Sequence, residues 1–346
     1  MFHHTYFSVG YTAIKSMKEW AKKAILASGA LRFGAGSQPA GTAILMYHSV
    51  LPGPEQHADL LGGIAHSEFQ FREQMELLAR EYQPVSLDGV VKSLRSGEPL
   101  KKRSVVVTFD DGYRDNFEVA VPILNHFGIP ATFYVTVDCV ENRRLPWPSR
   151  LRFAIRKTKL AAWTDSHAKT WKLDSDSSRE ETFATLCSDC CRLSGEVQED
   201  FVQRVERNLE VSVPTQSNSF MMDFDQVRGL VRNGHSVGSH TMTHPNMAYV
   251  SVDDARQEFV ESKARLEEQI STPITHFAYP CPALSPHWNA RTVDQSRTLG
   301  YDSAVTTNSG LTQSGDNPLC LKRLRPTKTA DGLRWNLECA FAGRAV

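Results

Sequence analysis

The run Ser104-Val105-Val106-Val107-Thr108-Phe109 ends on Asp110-Asp111-Gly112, and this junction constrains the fold more than any other stretch of the chain. The apolar run reads as a buried strand, the kind found in parallel α/β cores. Two adjacent carboxylates could not both enter one site from within a regular strand, because neighbouring side chains point to opposite faces. At a strand end, where Gly112 lets the chain turn sharply, both can aim into the same crevice.

Roughly 130 residues later, Ser239-His240-Thr241-Met242-Thr243-His244 sets two histidines four apart. They share a face if the segment is helical or a tight turn. Gly238 and Pro245 punctuate it on either side. One Asp and two His make a three-ligand site for a divalent metal, with positions left for water and substrate. The other Asp stands where a general base is needed, which completes the parts of a hydrolase. Imidazole and carboxylate suit zinc, and also cobalt or nickel. Alone, Asp-Asp-Gly is most often a turn and His-x-x-x-His a surface or core pair. The two together, each following a strand-like apolar run, are far less common.

These motifs resemble those of the polysaccharide deacetylase family, the NodB-homology carbohydrate esterases. Thr108 to Gly112 matches the family's Thr-Phe-Asp-Asp-Gly motif unchanged, and His240 to His244 its His-Ser/Thr-x-x-His motif. The resemblance covers residues 41–140 and 222–328. It implies an α/β fold, a distorted (β/α) barrel, and metal-dependent removal of acetyl groups from a sugar, N-acetyl before O-acetyl. By position it makes Asp110 the base and Asp111, His240 and His244 the metal ligands, with zinc ahead of cobalt or nickel. The implied partner is an acetylated sugar, oligosaccharide or lipid-linked glycan of a bacterial-type cell-envelope pathway. Two readings compete with this one. The chain could hydrolyse another amide or ester, or be a glycan-binding or assembly protein without catalysis. The complete set of base and ligands favours the deacetylase.

The chain departs from the family pattern in two places. Many relatives carry Arg-x-Pro-Tyr-Gly, whose Arg orients the base and whose Tyr N–H helps bind an oxyanion. The corresponding stretch here is Phe277-Ala278-Tyr279-Pro280-Cys281-Pro282. Ala278 takes the Arg position and Cys281 the Tyr position. Tyr279 and Cys281 remain the candidates for oxyanion or substrate contact, because Cys281 keeps a backbone N–H. Arg323 or Arg325 is the candidate replacement arginine, with ordinary surface charge as the alternative. The family's closing Leu-x-His motif, which supplies a general acid, is also absent, since no His follows His287. Tyr47-His48, closing the apolar run from Ala43, is the natural substitute. In this the chain is similar to deacetylases of the poly-N-acetylglucosamine type, which look circularly permuted. A structural histidine is the alternative for His48, and His126, His235, His276 and His287 read as structural.

Lysine plus arginine equal aspartate plus glutamate at 39 each, so no net charge points to nucleic acid or a membrane. Seven cysteines form no regular framework. Cys187, Cys190 and Cys191 cluster, but no second cluster completes a zinc site, so buried or surface thiols are expected. No run of 18 apolar residues suggests a spanning helix. Residues 14–32 read as an amphipathic helix, either lying on an anionic membrane surface or packed on the domain. A cytoplasmic or membrane-peripheral place is expected ahead of secretion, because the apolar stretch before Arg32 fits a signal peptide poorly.

The expected organisation is a helix and linker over 1–40, a catalytic domain over 41–328, a helical insertion over 138–222 within it, and a weakly patterned tail over 329–346. Strand-like runs at 43–48, 104–109 and 131–137 alternate with helical patterns at 67–82, 87–95 and 115–127. Residues 163–178 are polar, and helices are expected at 179–193 and 196–210. The core resumes with a helix from Phe224. Further strands are expected at 277–280, 302–306 and 321–326, with helices at 253–269 and 292–299.

Overall fold

The computed structural model describes residues 41–53, 62–165, 168–212 and 220–345, with 20–22, 24–26, 28, 29 and 31 at the N-terminal end. Most of the helix expected over 14–32 and nearly all of the linker after it lie outside the described residues.

A ring of parallel strands forms the core. These are β1 (Gly41–Tyr47), β2 (Ser104–Phe109), β3 (Ala131–Val135), β4 (Ser236–Ser239), β5 (His276–Ala278), β6 (Ser303–Ser309) and β7 (Leu321–Arg323), each bonded to the next. The ring closes where Leu324, just past β7, bridges Leu45: Met46 N–H donates to Leu324 O at 3.0 Å and Leu324 N–H to Ile44 O at 2.7 Å. A short strand, Thr312–Gln313, runs antiparallel to the start of β1. The α/β barrel expected from the sequence is present, distorted at this seam.

Strand alternation explains why the ring is filled. Ile44, Val106, Tyr134, Ala278, Val305 and Leu321 form one buried cluster together with Leu87, Val90 and Val91 of the helix Leu87–Ser96, which closes the end away from the Asp pair. Their neighbours Leu45, Val105, Val107, Phe133, Val135 and Phe277 face outward into the larger cluster beneath the surrounding helices. Each such side chain contributes about 1.5–3 kcal/mol by leaving water. A Cβ on Gly238 would meet Tyr134 Cδ1 at 2.5 Å and His276 O at 2.8 Å, so glycine is what allows Tyr134 to fill the barrel.

The helix Glu68–Glu81 starts at the Ser67 N-cap, with Gln70 completing a capping box, and Ser86 caps Leu87–Ser96. The expected helix at 115–127 is a π turn, Asn116–Ala120, running into α-helix Val121–His126. A short helix, Val137–Glu141, follows β3 unforeseen.

The tail expected to be weakly patterned is a helix, Ala330–Phe341, lying against Glu68–Glu81. Its buried Glu338 accepts from Arg103 at 2.7 and 3.0 Å and from the Tyr82 hydroxyl at 3.0 Å. Its apolar stripe, Leu333, Leu337 and Ala340, is narrow, and the buried carboxylate interrupts the pattern. Leu26 and Leu31 pack against Cys339 and Trp335 of this helix, while Trp20 is exposed.

Between β3 and β4 the chain builds the helices Trp147–Lys157, Asp176–Cys190 and Gly195–Asn208 around their own apolar cluster. The polar stretch at 163–178 holds a hairpin, Ala162–Thr164 with Thr170–Lys172. Trp163 and Trp171 stack on each other across it at 5.6 Å. Cys187, Cys190 and Cys191 are buried in the same cluster, and burial pushes the Cys187 thiol up to about 12 and Cys191 to about 11. They act as small apolar groups.

Candidate active site

The carboxyl ends of β1, β2, β4, β5 and β7 converge on a cavity of about 510 Å³. Asp110 N–H donates to Tyr47 O at 3.0 Å, which continues the β1–β2 ladder to the last residue before the turn. Asp111 and Gly112 then take left-handed conformations, φ 77° and 89°. Glycine adopts this without strain and aspartate at some cost. The turn brings both carboxylates to the same cavity, as the sequence led one to expect. Neither a helix nor a strand carries the two histidines. The segment leaves β4 in a loop whose Thr241 and His244 are also left-handed, φ 70° and 63°. Strain of this kind gathers where a site dictates the geometry.

Asp111, His240 and His244 meet with one ligand atom each, all within 4.8 Å of one another and all buried. Asp111 Oδ1 has no hydrogen-bond donor, and His240 Nε2 and His244 Nε2 face it at 3.5 and 3.4 Å. His240 Nδ1 lies 2.8 Å from Ala278 O. A carbonyl only accepts, so Nδ1 carries the proton and Nε2 presents its lone pair inward. Burial lowers both imidazoles below their ordinary value, keeping them neutral. Burial, and then the charge of Asp110, push the Asp111 carboxyl up to about 8. An orphaned buried carboxylate oxygen facing two inward lone pairs fits a divalent cation, which would reverse that shift.

Of the two candidate arginines, Arg323 is the one that reaches Asp110. It comes from β7, is fully buried, and grips Asp110 with both terminal nitrogens at 2.7 Å. Its Nε donates to Thr306 O at 2.9 Å and Nη1 also to Thr108 Oγ1 at 3.3 Å. Burial alone would raise the Asp110 carboxyl, but the Arg323 guanidinium, with His240, holds it well below the usual carboxylate range. Arg325 is exposed at the mouth and does not touch Asp110.

His48 lines the same cavity, half-buried, with no hydrogen bond to its ring among the described residues. Its loop is pinned by two residues that follow the Asp pair. Asn116 Nδ2 donates to His48 O at 2.6 Å, and Asp115 accepts from Ser49 Oγ at 2.5 Å and Val50 N–H at 3.0 Å. Burial first, then Arg323, lowers the ring to about 4 against the opposing pull of Asp110, so it rests neutral.

Cys281 is exposed at the cavity and its N–H donates to nothing among the described residues, whereas the Tyr279 N–H is committed to Val305 O at 3.1 Å. The Tyr279 hydroxyl points to Leu319 O at 3.1 Å. Of the two candidates for oxyanion contact, both line the cavity, and Cys281 has the free amide among the described residues, whereas the Tyr279 amide and hydroxyl are both committed.

Sequence reasoning missed several residues. Tyr113, directly after the Asp pair, lines the cavity with a buried hydroxyl that has no hydrogen-bond partner. His66 also lines it, with Nε2 on Thr327 O at 3.0 Å. Glu258, from the buried face of helix Val252–Ile270, accepts from Met242 N–H at 2.7 Å, Thr243 N–H at 2.9 Å and Thr243 Oγ1 at 2.5 Å. Trp147 donates to His244 O at 3.0 Å. The signal for Glu258 was a carboxylate inside the apolar stripe Ala255, Phe259, Leu266.

A family model for polysaccharide deacetylase matches residues 97–185 and 202–304, more than half of the chain. The chain belongs to the polysaccharide deacetylase family. It is 27% identical over 253 residues to the poly-β-1,6-N-acetyl-D-glucosamine N-deacetylase of Escherichia coli K12, a match covering 69% of this chain but 30% of that protein. Among solved structures it resembles the Streptococcus pyogenes deacetylase PplD in complex with acetate at 21% identity and TM-score 0.57, covering 86% of this chain and 97% of that one. IcaB from Ammonifex degensii is similar at 18% identity and TM-score 0.56, covering 87% and 98%. These likenesses bear on the fold. The break in the family match, at 186–201, lies inside the segment between β3 and β4.

Proposed function

We propose that this chain hydrolyses the N-acetyl group of a sugar, using a divalent cation held by Asp111, His240 and His244. The observation that carries the reading is a second carboxylate, Asp110, fixed beside that triad by a buried bidentate arginine. A cation there would acidify a water and polarise the acetyl carbonyl, with zinc favoured over cobalt or nickel.

Asp110 is ionised at neutral pH and can take a proton as the water attacks. The grip of Arg323 makes it a weak base, suited to a water already made acidic. The Cys281 N–H is free to donate to the oxyanion. In this reading His48 takes up a proton from solvent during turnover and gives it to the departing amine. Its ring rests neutral, and negative charge building on the acetyl oxygen would raise its proton affinity during turnover.

Acetate release from acetylated oligosaccharides tests the reading. Asp110→Asn should slow it by at least roughly 10²-fold, the scale of general-base catalysis, with metal retained. Equal loss of metal would make Asp110 a ligand. Retained metal with no acetate from any acetylated glycan would favour a binding protein.

A further inference from the structure

We propose that the three-helix segment between β3 and β4 is a working part of the active site, and that Trp147 and Asn246 are the positioning residues through which it acts. Trp147 sets the loop that carries the two metal-site histidines. Asn246 sets the loop that carries the Cys281 amide. This rests on the deacetylase reading and adds residues to it.

The stretch from His240 to Asn246 belongs to no helix or strand, and Thr241 and His244 are left-handed within it. Such a loop keeps its shape only where its surroundings over-determine it. The barrel side restrains the first half. Val137 N–H donates to Thr241 O and Asp138 N–H to Met242 O, both at 3.1 Å. The three-helix segment restrains the second half. Gly195 N–H, at the start of its helix, donates to Thr243 Oγ1 at 3.2 Å. Trp147 Nε1–H donates to His244 O at 3.0 Å, and Asn246 N–H to Cys191 O at 2.9 Å. A donor held on the His244 carbonyl fixes the backbone from which that ring reaches Asp111. Trp147 is itself buried in the apolar core of the segment, among Leu151, Leu186 and Cys190, so its indole cannot shift without that close-packed core.

The same core reaches the other side of the cavity, where Ala283 and Leu284 pack against it. Asn246 is fully buried and donates from Nδ2 to Ala283 O at 2.7 Å, while its Oδ1 accepts from Ala248 N–H at 3.0 Å. Only Pro282 stands between Ala283 and Cys281, and its ring fixes φ, so little slack separates the Asn246 contact from the Cys281 amide. Asn246 also follows His244 by two residues. One side chain therefore ties the metal loop to the loop of the oxyanion donor. Pro146, Pro148 and Ser149 wall the cavity, while Trp147 among them holds His244.

Two substitutions separate the two roles. Trp147→Phe keeps a ring in the core and removes the donor to His244 O. Zinc should then leave at least about 10-fold faster, the lower end for a partner behind a ligand. The visible spectrum of the cobalt-loaded protein should shift with the ligand geometry. Asn246→Leu keeps the volume and the backbone bond to Cys191 but releases Ala283. Zinc release should stay close to wild type, while kcat for acetate release falls at least roughly 10-fold with KM little changed, as when a transition-state contact is displaced. Hydrogen exchange needs no variant. Zinc loading of the wild type should slow amide exchange at the starts of helices Trp147–Lys157 and Gly195–Asn208, because coupling runs both ways. The helix Leu87–Ser96, at the far end of the barrel, should not respond. The proposal falls if zinc protects the loop alone. It also falls if both variants lower the melting temperature while zinc release, the cobalt spectrum and kcat stay as in the wild type, since the segment then only packs. If Trp147→Phe loses zinc faster yet no acetylated glycan yields acetate, the metal loop is positioned as inferred and the deacetylase reading fails. If wild type and both variants release acetate alike, the reverse holds.

Discussion

Arg323→Met should destabilise the protein strongly, and in a way that depends on pH. The substitution removes a guanidinium that is fully buried and makes two 2.7 Å bonds to Asp110. Breaking a buried pair from one side costs about 3–5 kcal/mol, because the surviving charge is left uncompensated. At this chain length roughly 2 °C per kcal/mol is expected, so the melting temperature at pH 7 should fall by roughly 6–10 °C. The sign with pH follows from Asp110. In the wild type its folded pKa lies below the unfolded value of about 4, so it adds stability above that pH and loses it as pH falls through the folded value. Without Arg323, burial raises the folded pKa above the unfolded one. The group then opposes folding increasingly as pH rises. The gap between variant and wild type should therefore widen from pH 4 to pH 7. Thermal unfolding with a chelator present, to keep cations from the site, measures it. Asp110→Asn in the Arg323→Met background removes the stranded charge and should recover at least roughly 1–2 kcal/mol as a coupling energy. If Arg323→Met melts with the wild type at pH 7, or the two costs simply add, the pair does not behave as its geometry requires.

Removing His240 and His244 together should abolish zinc retention after dialysis, and full occupancy by metal analysis would refute the triad. Because Asp111 is pushed up to about 8 without a cation, it holds a proton at pH 7, and zinc binding should release nearly one proton per site to an indicator dye; no release would contradict that shift. Glu258→Ala strands the Met242 and Thr243 amides and should weaken zinc by about 10–100-fold, while Glu258→Gln keeps an acceptor and should stay close to wild type. Equal affinity in both variants would show that the loop does not need the clamp. His48→Ala should suppress release of an amine while sparing hydrolysis of an activated aryl acetate, whose leaving group needs no proton; equal losses on both substrates would remove His48 as the acid.

The barrel was legible because its strands are short apolar runs bounded by caps and turns, and the site because Asp110, Asp111, His240 and His244 lie in two local motifs. Residues brought in from afar were harder to read. Arg323 could be offered only as one of two arginines, since nothing in Leu321-Lys322-Arg323 says that its side chain runs inside the barrel; alternation from Leu321 would have said so once the strand was fixed. The helix Ala330–Phe341 was missed because Glu338 sits on its buried face, and only Arg103 and Tyr82 make that carboxylate tolerable there.

Chain order matters little to such a site because a closed ring of parallel strands delivers every carboxyl end to the same mouth. The base-orienting arginine can leave β5, where Ala278 now stands, and return on β7, provided its side chain enters the barrel. A histidine can serve from the end of β1, provided something fixes its loop. Here that something is Asp115 and Asn116, a few residues past the Asp pair, which grip His48, Ser49 and Val50. The segment that carries Asp110, the proposed base, therefore also positions the candidate acid. A change at Asn116 should disturb His48 while leaving the Asp111, His240 and His244 cluster intact, which separates positioning of the acid from assembly of the metal site.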